Sequence, residues 1–390
     1  MFCMIKEEIM RILVVSGFDI NSSQPNAICV KNLLSEFDKD NEISYEIVGQ
    51  DCFDKVPMIN WKKSIIFSAK RIFKWPSTNP DAETAIYNDI CSIANVQPFD
   101  AIFVIHKPYE AVRAACRYKK KNNNISLFVY CLDPIANEID ASLGLGRNLF
   151  WLTKRAELQC YRISDLIIQM NCNRRKYNSS RYKKFHDKFC YTDFPLILFD
   201  DSIENKEKCG DEDSIKLIYS GVLDSVYRSP EYLLKLLCAA NNTVPLSIDF
   251  YSRGNCEELI KLCPVANAKG YVPNADLQRE LKRADIMVNI GNKFSEMLPS
   301  KLLTYFMSGK PIIHISNQEN DSCIEYLKKY PLSLIIYEKD SIDFNVNKLE
   351  EFLKSVKGKN VPNSEILNSF IENTPEYSYR VLKEAFLSRI

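Results

Sequence analysis

The residues best suited to bind an anion stand around the start of one predicted helix. A loop follows the apolar run 286–290, which predicts a buried strand. Pro299 and Ser300 mark the helix start, with Ser300 as N-cap and Lys301 in the first turn. Free N–H groups, a hydroxyl and an ammonium suit a phosphate group, and Glu296 in the loop can accept hydrogen bonds from sugar hydroxyls. This combination favours a nucleoside diphosphate joined to a sugar. The alternative is an ordinary strand–loop–helix connection with a surface glutamate and lysine.

The elements that must position these residues alternate between strand and helix. Short apolar runs such as 11–16 and 101–105 predict parallel strands buried on both faces, and helical patterns separate them. Residues 200–213 are acidic and polar and predict a linker, after which the alternation resumes. We therefore expect an α/β protein in which two Rossmann-like parallel-sheet domains face each other across a cleft.

The polar stretch sets the expected domain boundaries. We expect an N-terminal domain over residues 1–205, a C-terminal domain over 206–375, and a final helix over 376–390 that packs back on the N-terminal domain. Ligands of open parallel sheets bind beyond the carboxyl ends of the strands. The residues directly after strands are therefore the candidates for function.

Composition excludes several classes of protein. A net charge of +1 disfavours a globally basic nucleic-acid binder, and no apolar run approaches the ~20 residues of a membrane span. The N-terminal residues do not have the pattern of a signal peptide, so the 14 cysteines are expected to be free thiols in a reducing cytoplasm. With 3 well-separated histidines, no metal site is expected. The two common glycine-rich nucleotide motifs do not occur, which argues against a dehydrogenase and a P-loop NTPase.

The segment 296–311 resembles the donor-site signature of GT-B glycosyltransferases of the group 1, or family 4-like, type. The flanks 270–272 and 284–285 resemble the unit that precedes this signature, and 219–221 resembles the first strand and glycine turn of the family's C-terminal domain. Over the N-terminal half the resemblance is only architectural. The residues that carry the signature are Glu296, Pro299, Ser300, Lys301, Tyr305, Gly309, Lys310 and Pro311.

The resemblance implies a glycosyltransferase that moves a sugar from a nucleotide-sugar donor, held by the C-terminal domain, to an acceptor on the N-terminal domain. It implies no metal and no cofactor. The implied acceptor is a saccharide or a lipid-linked saccharide in bacterial surface-polysaccharide biosynthesis. The expected location is the cytoplasm, peripheral to the inner face of the membrane.

One position departs from the family pattern. Many such enzymes have a second glutamate, which commonly holds the nucleotide ribose, at the place where this chain has Thr304. A threonine can make only a shorter, neutral hydrogen bond. The identity of the nucleotide and the stereochemical outcome therefore stay open.

Further donor and acceptor residues are implied at strand ends. Gly221, Arg228 and Arg253 are candidates for donor binding, and Arg228 has the alternative of a solvated turn arginine. His106 ends the run 101–105, where the family often has a histidine on the catalytic side; with its near-neutral pKa range it could move a proton at the reacting sugar, unless it is structural. Asp133 is a candidate acceptor-binding carboxylate or base. The expected catalytic residues are thus His106, Asp133 and Glu296.

Two basic segments suggest anionic partners. Residues 61–75 contain five basic side chains, no acidic one and a tryptophan at each end, which predicts a basic amphipathic helix on an anionic membrane. The alternative is a domain helix packed on the sheet. Residues 174–188 form a second basic run that could bind a phosphate-bearing acceptor or lipid, while nucleic acid is a poorer candidate because the whole chain is nearly neutral.

Two other functions remain open at this point. A non-catalytic nucleotide-sugar-binding or partner subunit could retain this fold, with Thr304 as a sign of lost activity. A nucleotide-sugar epimerase or hydrolase could also use it.

Overall fold

The computed structural model describes residues 9–50, 52, 79–136, 150–199, 214–293 and 298–390. The chain divides into two compact units. The first unit is Met1–Leu196 with Glu372–Ile390, and the second unit is Ile197–Ile371. The boundaries thus lie at 196/197 and 371/372, where the sequence suggested 205/206 and 375/376. The chain enters the second unit before the polar stretch because Ile197 is buried and the Leu198 amide donates to Met307 Sδ at 3.4 Å.

The first unit contains six parallel strands in the order β2-β1-β3-β4-β5-β6. The four inner strands of the sheet are almost continuously apolar and buried, as expected of strands covered on both faces, whereas the two edge strands are partly exposed. The strands are β1 (Met10–Val15), β2 (Ile43–Val48), β3 (Ala101–His106), β4 (Ser126–Cys131), β5 (Leu166–Met170) and β6 (Phe189–Thr192).

Helices cross over between these strands, and a helix from the end of the chain completes the unit. The last helix contributes Phe386, which stacks on Phe128 with ring centroids 4.5 Å apart. Two 3-10 segments, Asn171–Asn173 and Ser180–Lys188, flank a short helix. The helices are α1 (Pro25–Phe37), α2 (Pro80–Val96), α3 (Tyr109–Lys121), α4 (Phe150–Ile163), α5 (Arg174–Tyr177) and, at the end of the chain, α13 (Pro375–Leu387).

The second unit contains another six parallel strands, in the order β12-β11-β10-β7-β8-β9. Numbered within the unit, this is the doubly wound order 3-2-1-4-5-6 of Rossmann folds. The strands are β7 (Ile215–Leu223), β8 (Leu246–Gly254), β9 (Ala266–Ala268), β10 (Ile286–Ile290), β11 (Ile312–Ser316) and β12 (Ser333–Tyr337).

The helices of the second unit include the one predicted to carry the anion site. That helix, α9, spans Lys301–Met307 and agrees with the predicted position. Its residues Leu302, Leu303 and Phe306 are buried and form its packed face. The helices are α6 (Glu231–Ala240), α7 (Glu257–Lys261), α8 (Asn274–Arg283), α9 (Lys301–Met307), α10 (Cys323–Leu327), α11 (Ile342–Val356) and α12 (Asn363–Ser369).

Candidate functional site

The strand order of the second unit locates a site at the carboxyl ends of β7 and β10. These strands are neighbours in the sheet, yet β7 continues along the chain to β8 on its other side. The direction of winding therefore reverses between them, which opens a crevice where ligands of doubly wound folds bind. Ser220 and Gly221 lie near the end of β7, and Gly291 follows β10.

Helix α9 is attached to β7 by two side chains four residues apart. Lys301 Nζ donates to the Ser220 carbonyl at 2.8 Å, and the Ser220 amide donates to the Tyr305 hydroxyl at 2.9 Å. Because residues i and i+4 share one face of a helix, both reach the same strand residue. Tyr305, which like Lys301 belongs to the predicted signature, thus anchors the helix on β7.

Gly221 allows Lys301 to approach the strand end closely. Its φ is +129°, a region that favours glycine, and a Cβ there would lie 3.3 Å from Lys301 Nζ. The ammonium also lies over the buried Tyr219 ring, 3.6 Å from its centroid. A larger residue at position 221 would therefore disturb both the backbone and the lysine.

Desolvation changes the chemistry of Lys301. Burial, and next the positive charge of Arg228, hold the pKa of Lys301 well below its ordinary value. An anion that binds beside Lys301 would therefore raise this pKa and stabilise the ammonium form.

Arg228 presents the other cation of the site from the turn after β7. Its amide and carbonyl pair with those of Asp224, and the Asp224 carboxylate accepts the Val226 and Tyr227 amides at 2.9 Å each. The Nε atom of Arg228 is buried and has no hydrogen-bond partner among the residues that the structure describes. An unsatisfied buried donor is costly, so an oxygen of a ligand would stabilise this arginine.

Arg253 lies at the end of β8 and is exposed. Its guanidinium stacks on the ring of Tyr271, 3.4 Å from the centroid, and Tyr271 itself is 64% exposed. The two side chains form a flat, positively charged surface on the same carboxyl edge of the sheet. Such a surface suits an aromatic base.

A buried polar network lies behind the loop that follows β10. Asn289 Nδ2 is 2.9 Å from His314 Nδ1, and His314 Nε2 is 3.0 Å from Asp321 Oδ2. Although burial opposes ionisation, hydrogen bonds from His314 and the Cys323 amide hold the pKa of Asp321 below its ordinary value. A Cβ at Gly291 would lie only 2.3 Å from Asp321 Oδ2, so the network fits closely against the start of the loop.

The same network contains the residues most capable of holding a metal. Ligand atoms of His314, Asp321 and Cys323 lie within 4.8 Å of one another, a grouping that the sequence analysis missed because it looked for shorter spacings. Burial, and next the charge of Asp321, raise the pKa of the Cys323 thiol well above its ordinary value. The hydrogen bond between His314 and Asp321 joins β11 to the segment before α10.

The remaining predicted donor residues have mixed outcomes. Ser300 occupies the N-cap position of α9, but its side chain makes no capping hydrogen bond and its backbone is already helical. The expectation that its side chain caps the helix is therefore corrected, while its role in donor binding stays a prediction. Pro299 is buried, and Thr304 is half-buried one turn after Lys301. Glu296 lies outside the described residues.

In the first unit the strand order also reverses, between β1 and β3. Gly17, two residues after β1, packs against the Pro108 ring, and a Cβ at Gly17 would lie 2.2 Å from it. At the end of β3, His106 is fully buried and its Nδ1 is 3.1 Å from the Asp133 carbonyl oxygen. The ring therefore holds the segment that carries Asp133, and its expected catalytic role stays a prediction.

Asp133 itself is partly exposed and has a neighbour that the sequence analysis missed. Lys107 Nζ lies 3.4 Å from Asp133 Oδ2, and the two side chains are 41% and 25% exposed. Lys107 directly follows the strand that ends in His106, so the rule of examining residues after strands could have found it. The structure thus brings the predicted residues His106 and Asp133 together and adds Lys107 beside them.

The expected membrane helix, residues 61–75, lies outside the described residues. Within the part of the chain that the structure describes, no helix combines the length and apolarity needed to cross a bilayer. The second basic run, by contrast, is described and lies on α5 and the following 3-10 segment of the first unit.

Comparison of the sequence with protein-family models and with curated proteins finds no match. Solved structures match over almost the whole chain. The lipopolysaccharide outer core galactosyltransferase WaaB has a TM-score of 0.58 at 12% identity, covering 98% of this chain and 100% of that one. Anabaena HepE in complex with UDP-glucose has a TM-score of 0.57 at 11% identity, covering 97% and 100%.

The solved structure of an enzyme with a different activity is about equally similar to this chain. UDP-GlcNAc 2-epimerase from Methanocaldococcus jannaschii has a TM-score of 0.54 at 12% identity, covering 96% of this chain and 99% of that one. At such identities the likeness shows the fold alone. Together with the two parallel sheets it confirms the expected GT-B fold, whereas the group 1 type of the resemblance stays a prediction.

Proposed function

We propose that this protein is a glycosyltransferase that moves a sugar from a nucleotide-sugar donor to an acceptor hydroxyl. The observation that carries the proposal is the pair of cations, Arg228 and Lys301, at the winding reversal between β7 and β10. Arg228 has a buried donor, Nε, that has no partner among the described residues, and Lys301 has a pKa that an anion would raise. Both properties fit a diphosphate.

The diphosphate is the leaving group of the proposed reaction. The acceptor oxygen attacks the anomeric carbon, the bond from that carbon to the phosphate oxygen breaks, and the nucleoside diphosphate leaves with the electron pair. Arg228 and protonated Lys301 would stabilise the negative charge that develops there. Glu296 would hold the hydroxyls of the sugar, and the surface of Arg253 and Tyr271 would hold the base.

On the first unit, Asp133 is our candidate for the acceptor. A carboxylate can accept the hydrogen bond of an acceptor hydroxyl and take its proton as the new bond forms. His106 would act as a positioning residue, because its ring contacts the backbone of Asp133. The proposed acceptor is a saccharide or lipid-linked saccharide of bacterial surface-polysaccharide assembly.

The second candidate is a nucleotide-sugar 2-epimerase, which the likeness to the Methanocaldococcus jannaschii enzyme favours. Product analysis separates the two. We expect the protein to transfer labelled sugar from a UDP-sugar to a saccharide or lipid acceptor, with release of UDP. Conversion of UDP-GlcNAc to its C2 epimer without an acceptor would establish the epimerase instead. Binding of donor with neither product would indicate a non-catalytic subunit.

The role of Glu296 gives a separate prediction. If Glu296 holds the donor sugar, Glu296→Gln will reduce turnover by about tenfold or more, which corresponds to one or two lost hydrogen bonds to a charged group. Affinity for UDP, which lacks the sugar, will change little. The matched control is Glu319→Gln, because Glu319 is a surface residue 74% exposed. Equal losses of turnover and UDP affinity in Glu296→Gln would place Glu296 on the nucleotide or in the fold.

A further inference from the structure

The first unit carries a cluster of positive charge that the proposed reaction does not use. We define the basic segment as its six cationic residues within 174–184, and no acidic residue lies between 174 and 186. The whole chain has a net charge of +1, so all other residues together carry −5. The members of the segment are Arg174, Arg175, Lys176, Arg181, Lys183 and Lys184.

Packing of the aromatic residues turns these charges outward. Tyr177 and Tyr182 are buried and donate to the two carboxylate oxygens of Glu157 on α4, at 3.1 and 2.8 Å. Phe185 is buried with them against Tyr161. Since the aromatic side chains fill the inner face, the intervening basic side chains remain on the surface.

Four of the exposed cations have no counter-ion among the described residues. Arg175, Arg181, Lys183 and Lys184 are exposed, and none forms an ion pair within the described ranges 9–50, 79–136, 150–199, 214–293 and 298–390. Arg174 is also exposed and lies over the Tyr191 ring, 4.7 Å from its centroid. Repulsion among unpaired like charges opposes folding, so an anionic partner would relieve it.

Helix α4, which packs on the basic segment through Glu157, extends this surface. Trp151 is 61% exposed, and Arg155 and Arg162 are exposed too. At about 100° per residue the three side chains lie within roughly 40° of one another on the helix. Lys154, in the turn after Trp151, lies over the Tyr182 ring at 4.5 Å, which fixes the helix beside the segment.

We propose that the basic segment and the exposed face of α4 form a docking surface for an anionic lipid bilayer. Several exposed cations next to an exposed tryptophan suit the headgroup region of an anionic bilayer. A nucleic acid fits less well, because the tyrosines of the segment are buried and offer no stacking surface for bases. This inference goes beyond the proposed reaction and concerns where the protein works.

The test is sedimentation of the full chain with lipid vesicles, which requires no nucleotide and so is independent of the proposed reaction. We expect binding to phosphatidylcholine vesicles that contain phosphatidylglycerol, and release at about 1 M salt, where the screening length falls to ~3 Å. Vesicles of phosphatidylcholine alone should bind at least about tenfold less. Equal binding to both kinds of vesicle would overturn the proposal.

A quadruple variant locates the surface. Replacing Arg175, Arg181, Lys183 and Lys184 by Gln should lower the partition coefficient on anionic vesicles at least about tenfold, since each basic residue near the surface contributes to binding. The melting temperature should stay within a few degrees of wild type, because these exposed side chains make no ion pair with any described residue. Unchanged vesicle binding by the folded variant would overturn the proposal.

A matched control shows whether vesicle binding depends on this particular surface or only on the net charge of the protein. Four exposed lysines of the second unit also lack ion pairs in the described structure, and their replacement by Gln changes the charge equally. An equal loss of binding in this control would contradict the proposal, as would a loss confined to a Lys63, Lys70 and Lys74 variant of residues 61–75. Binding of an oligonucleotide instead of vesicles would do so too. The control residues are Lys328, Lys329, Lys357 and Lys359.

Discussion

Lys301 shows how a residue type can be predicted while its chemistry is not. Its place at the start of a helix was evident from the sequence, and so was its cationic type. Its hydrogen bond to Ser220, however, joins residues 81 positions apart in the chain. The lowered pKa of Lys301 follows from desolvation of its side chain and from the positive charge of Arg228. Lys301 therefore combines a structural hydrogen bond to β7 with an amine whose charged form a bound anion would stabilise.

The pKa of Lys301 makes nucleotide binding dependent on pH. A diphosphate stabilises the ammonium form and raises the pKa toward the ordinary value near ~10.4, so binding takes up a proton between the two pKa values. Affinity for UDP should therefore increase as pH falls through that range and level off below the pKa of the free protein. Calorimetry in buffers of different ionisation enthalpy measures the proton uptake.

Lys301→Met is the matched variant for this prediction. It keeps most of the apolar stem but cannot gain a proton, so proton uptake should disappear and UDP affinity should fall by about tenfold, as expected for a charged hydrogen bond of ~1.5 kcal/mol. Proton uptake that persists in the folded variant would assign the titration to another group.

At the scale of elements, the alternation of strands and helices could be predicted because strands buried on both faces are apolar throughout. The run 101–105 became β3 (Ala101–His106), and the predicted anion-site helix became α9 (Lys301–Met307). The order of the strands could not be predicted, because apolar runs do not specify their neighbours. The site depends on that order, because β7 and β10 are neighbours in the sheet although they are not consecutive in the chain. The contact between Asn289 and His314 was missed for the same reason, because these residues lie on the neighbouring strands β10 and β11.

Tyr305 should hold α9 in place on β7. Tyr305→Phe removes the acceptor of the buried Ser220 amide, and an unsatisfied buried donor costs about 1–3 kcal/mol. We expect lower stability of the second unit and weaker UDP binding, because Lys301 is on the same helix face. Thermal unfolding and calorimetry below the melting temperature measure the two effects.

Tyr330→Phe is the control for Tyr305→Phe. Tyr330 is equally buried in the second unit, and its hydroxyl donates to the Lys310 carbonyl at 2.8 Å, away from Ser220. It should lower stability without weakening UDP binding in the folded protein. If both variants bind UDP as wild type does, then α9 does not need this anchor to form the site.

At the scale of the whole molecule, each unit is a separate parallel-sheet domain, and the C-terminal helix α13 belongs to the first unit. A final helix that packs back on the N-terminal domain was expected from the sequence, while the boundary positions differ because residues 197 and 198 already contact the second unit. Phe386 is fully buried between the aromatic rings of β3 and β4, with centroids 5.4 Å from Phe103 and 4.5 Å from Phe128.

Phe386→Ala should destabilise the first unit by about 3–5 kcal/mol, the usual cost of removing a buried aromatic ring. Hydrogen exchange of the β3 and β4 amides in urea, followed by mass spectrometry, reports on the unfolding of this unit. The neighbouring control Leu387→Ala, at a residue 59% exposed, should change stability by less than about 0.5 kcal/mol. Similar midpoints for the two variants would show that α13 does not stabilise the first unit.

The measurement that tests the central claim most directly is a calorimetric titration of the wild type and Arg228→Gln with UDP, repeated with GDP and ADP. The buried Nε of Arg228 should be satisfied by a diphosphate oxygen, so wild type should bind at least one of these nucleotides. Arg228→Gln should bind it at least about tenfold more weakly, as expected when a charged hydrogen bond is lost. The melting temperature of the variant without ligand should be nearly unchanged. Absence of binding to all three nucleotides, or equal affinity in a folded Arg228→Gln, would contradict a donor site at the carboxyl ends of β7 and β10.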